Sequence, residues 1–146
     1  MRLKDFYLEL SVLFNYFKSF SILFVRAVLA YGFYEPALTK WRNFDTTVEW
    51  FNSLGIPFAS VATLVTASVE IMGVVFLSLG LFTRLITIPL MFVMMIATIT
   101  VHLSHGFSVA NNGFEIPLYY FMFLLLLASH GAGKFSLDFL IFGKKR

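Results

Sequence analysis

Four apolar stretches dominate this chain, and its charged residues gather at their ends. A membrane-crossing helix needs about 20 mostly apolar residues. Residues 17–38, 57–82, 85–103 and 114–130 read as four such helices, the last being the shortest and ending at Gly131-Ala132-Gly133. Ahead of them Leu3, Phe6, Leu10, Leu13, Phe14 and Phe17 recur at helical spacing, with Arg2, Lys4, Asp5, Glu9 and Lys18 on other faces. That pattern predicts an amphipathic helix over 1–16, lying in the membrane interface before the chain turns inward. A short apolar tail, 136–142, reads as a second interfacial helix with Ser136 as its cap. The expected fold is all-α: one transmembrane four-helix bundle, residues 1–146, with an amphipathic helix at each end.

The connections differ in kind. Residues 39–56 read as the longest loop, carrying Trp41 and Trp50, which suit an interfacial depth. Gly80-Leu81-Phe82-Thr83-Arg84 is short enough to make the second and third helices an antiparallel hairpin. The third loop, 105–113, carries the turn signal Asn111-Asn112-Gly113.

Composition agrees with a membrane protein. Hydrophobic residues make up 59% of the chain and charged ones 13%, about half the charged share of a soluble domain. The mean hydropathy is +0.83. A net charge of +3 could suggest nucleic acid, but the basic residues flank apolar segments and form no stripe, so lipid is the expected partner and nucleic acid is not. Eight basic residues lie on the side of the termini and the 80–84 turn; Lys40 and Arg42 lie on the other. This asymmetry predicts a bacterial inner-membrane protein with both termini cytoplasmic. With no cysteine, disulfides, thiolate metal sites and dithiol redox chemistry are excluded.

Few residues could carry chemistry. Arg26 lies within the first helix and Glu70 within the second, each costing about 2.5–3.5 kcal/mol if unpaired at mid-membrane. Antiparallel helices would bring them to similar depth, so an Arg26–Glu70 pair is expected, either fixing the bundle's register or forming a proton or substrate site. A second group gathers at the outer end: Glu35, His102, His105 and Glu115. His102 and Glu115, with Glu35 as third member, could hold a quinone carbonyl or relay protons. Met91, Met94, Met95, Thr98, His102 and His105 fall at helical spacing, and a set of His102, His105 and Met95 would suit a cuprous ion. The same stripe also reads as core packing. No phosphate loop or hydrolase motif is present.

Read in order, several short pieces resemble the DoxX family of small bacterial inner-membrane proteins. They are Arg26; Leu54-Gly55-Ile56-Pro57; Val69-Glu70; Gly80-Leu81-Phe82-Thr83-Arg84; Val101-His102-Leu103 with Gly106-Phe107; Gly113-Phe114-Glu115; and Gly133-Lys134-Phe135-Ser136-Leu137-Asp138. The resemblance implies a four-helix inner-membrane protein, an oxidoreductase component linked to the quinone pool. Some relatives are encoded near genes for copper-binding peptides, which keeps copper as the alternative cofactor. The first choice is therefore a non-thiol, quinone-associated redox subunit of a larger system. The alternatives are a copper-handling or small-solute membrane protein, and a structural anchor for a soluble enzyme. A soluble redox or metal-handling partner and a homo-oligomer are both compatible with these readings.

Overall fold

The computed structural model describes residues 3–143. Six α-helices build it: α1 (Leu3–Arg42), α2 (Phe44–Ser53), α3 (Ala59–Leu79), α4 (Thr83–Ala97), α5 (Glu115–His130) and α6 (Leu137–Phe142). Beyond Ala97 the α4 axis continues through a π turn, Thr98–His102, and a 3-10 turn, Leu103–His105. The expected all-α membrane bundle is thus observed. Helix α1, helix α3 and the α4 axis to His105 are long and apolar enough to cross a bilayer, and α5 is a shorter apolar helix. Helix α1 packs on α3, α3 on α4, and α4 on α5, which closes lightly back onto α1. Leu29, Phe33, Leu77, Leu90, Leu124 and Leu127 fill the centre.

Helix α1 differs from expectation. The turn expected after residue 16 does not occur, and one helix of 40 residues runs from Leu3 to Arg42. The sequence explains why: the first glycine is Gly32 and the first proline Pro36, so nothing near residue 17 can stop a helix. The long loop expected over 39–56 is likewise mostly helical. Phe44, Val48 and Phe51 fall on one face of α2, which packs on α3 with Phe51 buried. A notch over Gly32, which a Cβ would fill, admits the ring of Tyr120 from α5. Tyr120 also meets Phe33 edge-on at 5.5 Å.

The termini lie at one end of the bundle with the α3–α4 turn, here called the terminal end. Arg26 holds it together. Its guanidinium donates from Nε to the Leu77 carbonyl (3.0 Å), from Nη1 to the carbonyls of Ala132 (2.6 Å) and Phe135 (2.9 Å), and from Nη2 to that of Ser78 (3.5 Å). The last turn of a helix leaves carbonyls without helical partners and carries negative partial charge, so a cation belongs there. Gly80, at φ 65°, ends α3, and any side chain on it would collide with Arg26 and Ser136. The tail completes the knot. The Asp138 carboxylate accepts from Phe82 N (2.7 Å) and Thr83 N (2.9 Å), covering the free amides that start α4, and Asp138 N donates to the Gly80 carbonyl (2.9 Å). Ser136 Oγ accepts from Phe139 N at 3.2 Å, the capping contact expected for the last helix.

Arg26 is only 2% exposed and makes no bond to Glu70. Removing it leaves several interior carbonyls without donors, each worth about 1–3 kcal/mol. Arg26→Ala should therefore lower the thermal midpoint of the detergent-purified protein steeply, and Arg26→Lys should recover part of the loss. A midpoint unchanged in Arg26→Ala would contradict the role given to this residue.

Candidate functional site

At the opposite, distal end the chain is less regular, and there buried Glu70 meets half-buried Lys40. Pro36 has no amide hydrogen to give the Gly32 carbonyl, so the α1 ladder loosens one turn before its end. Lys40 lies one turn beyond Pro36 on the same face. Its Nζ stands 2.8 and 3.1 Å from the two oxygens of Glu70 and 3.4 Å from the Pro36 carbonyl. The Lys40 side chain is 15% exposed and that of Glu70 3%, so this ion pair is nearly dry. Trp41 Nε1 donates to the Ala67 carbonyl at 3.3 Å, pinning the end of α1 to α3.

The expected Arg26–Glu70 pair is therefore corrected: Glu70 belongs to Lys40, and Arg26 belongs to the carbonyls at the terminal end. The cause is register. Arg26 lies opposite the end of α3 at Leu77–Gly80, so residues near Pro36 lie opposite Glu70. The sequence reading puts Lys40 in the 39–56 loop, whereas α1 runs on through Pro36 to Arg42 and carries Lys40 to Glu70.

Two adjoining cavities open around this pair. One, about 260 Å³, lies between Lys40, the α2 residues Trp50 and Phe51, Thr66 of α3 and Val93 of α4. The other, about 360 Å³, is bounded by Gly32, Phe33, Asn112 and Tyr120. Pro36, Glu70, Met94, Ala97 and His102 line both. The π turn is part of the site's construction, because the extra residue per turn offsets His102 from the α4 ladder. His102 Nδ1 lies 2.8 Å from the Asn112 carbonyl. A carbonyl can only accept, so Nδ1 is the donor in this contact.

The remaining predicted site residues fall elsewhere. Glu115 lines neither cavity. Its carboxylate accepts from Val109 N (2.9 Å) and from the Tyr119 hydroxyl (3.1 Å). His102 and Glu115 thus grip the distal loop from two sides: His102 holds it at Asn112 and Glu115 at Val109. Glu35 is exposed on α1 and borders neither cavity. His105 turns back to its own turn, with Nδ1 2.9 Å from the Val101 carbonyl. Met95 is exposed on α4. No group of three or more His, Asp or Glu residues suited to a metal occurs among the described residues.

Comparison with known proteins gives this arrangement a family. Residues 21–103 match the DoxX family. An uncharacterized protein of Haemophilus influenzae is 34% identical over 125 residues, covering 83% of each chain. A Bacillus subtilis protein named "Putative oxidoreductase CatD" is 32% identical over 131 residues, covering 88% of this chain and 94% of that one. The chain belongs to the DoxX family. No solved structure matches it.

Removing one partner of a buried pair leaves the other charge uncompensated, at a cost on the order of 3–5 kcal/mol. Lys40→Met and Glu70→Leu should each destabilise, and the double variant should recover much of the loss, giving a large coupling energy. The corresponding cycle for Arg26→Met and Glu70→Leu should be additive to within about 0.5 kcal/mol. Denaturation midpoints in detergent measure both cycles; coupling between Arg26 and Glu70 equal to that of Lys40 and Glu70 would contradict the assignment.

Proposed function

We propose that this protein is the membrane subunit of a quinone-linked oxidoreductase in a bacterial plasma membrane, and that the distal cleft takes the quinone ring. The observation that carries the reading is the meeting of Lys40, Glu70 and His102 where two apolar cavities join. Ionisable side chains at membrane depth are costly, and their usual justification is a site. The name of the Bacillus subtilis relative supports the oxidoreductase class.

The residues fit such a ligand. Adjoining spaces of about 260 and 360 Å³ are of ligand-pocket size, with few polar groups and an aromatic wall from Trp50 and Phe51. A bound quinone would supply the two-electron, two-proton chemistry that these side chains do not. Lys40, held by Glu70, and His102, whose Nδ1 is engaged by the Asn112 carbonyl, would hold the ring oxygens by hydrogen bonds, and the electrons would pass to or from a partner redox protein.

Trp41 and Trp50 are the chain's two tryptophans, and Trp50 lines the cavity, so its emission reports occupancy. A short-tailed benzoquinone titrated into purified protein should quench that emission saturably. His102→Gln and Lys40→Gln should weaken binding roughly tenfold or more, about 1.4 kcal/mol each. Quenching that never saturates, or equal affinity in both variants, would overturn the reading.

The same proposal places both termini in the cytoplasm and the cleft at the outer face, following the excess of basic residues at the terminal end. Reporter fusions after residue 146 and within residues 43–50 should give opposite signals. An external C-terminus would contradict the orientation.

A further inference from the structure

The first part of α1 is unexplained by anything above. Ile22 is the first buried residue of the helix, and residues 3–18 are almost wholly exposed, with only Val12, Asn15, Tyr16 and Lys18 bordering the tail at Lys134 and Phe135. No glycine or proline interrupts residues 3–31, so this segment continues along the axis of the membrane-crossing part. At 1.5 Å per residue it extends roughly 35 Å beyond Arg26, which already marks the end of α3. A segment collinear with a crossing helix does not lie flat in the interface. With the α3–α4 turn at the membrane surface, its apolar side chains would stand beyond that surface and need another cover.

Their spacing says which. Leu3, Phe6, Leu10, Leu13, Phe17, Phe20 and Phe24 alternate at intervals of three and four, a strict repeat of 3.5 over three heptads. They are between 37% and 85% exposed. That repeat is the seam of a left-handed two-helix coil, whereas a surface helix packed on a globular core shows 3.6. At 100° per residue the seam centres about 180° from the face that α1 turns to the bundle, defined by Ile22, Arg26, Leu29, Phe33 and Ala37.

We infer that α1 pairs in parallel with α1 of a second copy along this seam, making the protein a homodimer. Several points select a copy over another partner. A second copy in the same membrane has the same orientation, so identical seams meet in register. The seam's exposed area is roughly 700 Å² per copy, counting about 150–250 Å² for a whole aromatic side chain. The pair would bury about 1,400 Å², within the range of a stable interface. Finally, the seam faces away from Pro36 and Lys40, so both distal clefts stay open to lipid. The inference is independent of what the clefts bind.

The chain's lack of cysteine makes the test direct. Single cysteines are placed at Leu10, Leu13 and Phe17 on the seam, and at Leu8, Val12 and Asn15 on the opposite face. Vesicles with a large excess of lipid over protein are treated with a mild oxidant. Disulfide-linked dimers should form at 10, 13 and 17, and at least about tenfold more slowly at 8, 12 and 15. Each variant is first checked by gel filtration for the wild-type profile, so that misfolding is not read as loss of pairing. A flat profile, a maximum on the opposite face, or no cross-linking would overturn the dimer. A spin label at Leu13 that reports burial among acyl chains would assign the seam to lipid instead and would equally overturn it.

Discussion

In a hydrocarbon slab no water is available to a stray charge or backbone dipole, so each must find its partner within the chain. Arg26 shows how strongly that rule shapes this bundle. Its side chain meets no carboxylate closely; it is satisfied by the carbonyls left over where α3 stops and where α5 gives way to the tail. One guanidinium thus solves two problems, its own burial and the unmet acceptors at the end of α3 and in the segment after α5. Asp138 supplies the reciprocal solution, accepting from the free amides that begin α4. Between them these two residues tie α1, α3, α4 and the tail into one knot, and the depth of every other residue follows from it.

With the terminal end fixed, the distal end can be irregular. Pro36 interrupts the α1 ladder, α4 widens into a π turn, and the loop after it holds itself together through short backbone bonds and the grips of His102 and Glu115. These departures from ideal helix open the space around Lys40 and Glu70. Departures of this kind concentrate at functional positions because a regular helix would fill the space with its own side chains. The distal end thus combines the Lys40–Glu70 pair, His102 and two adjoining cavities in one place.

Much of the fold was legible in the sequence because the bilayer sets a length scale that apolar runs reveal directly. What was not legible depended on side-chain reach and on register. The lack of a breaker before Gly32 was present in the sequence, yet the amphipathic pattern of residues 3–17 drew attention to faces and away from continuity. Charge counting pairs Arg26 with Glu70; that a guanidinium can be fully served by carbonyls is invisible to it. Nor does a count of basic residues at helix ends show that the four-carbon stem of Lys40 is long enough to bring an ammonium back into the bundle. His102 does face the interior cleft. Glu115 is occupied by the loop it holds, because the free Val109 amide nearby is served first by its carboxylate.

The central claim is that the space between Lys40, Glu70 and His102 is the seat of a quinone ring. Photoaffinity labelling of the protein in native membranes with an azido-quinone, followed by peptide mapping, addresses it directly. Labels confined to the cleft walls contributed by α2 and by Val93–Ala97 of α4, and displaced by unlabelled quinone, are the predicted result. Labelling spread along the lipid-facing surfaces, undiminished by competitor, would contradict it.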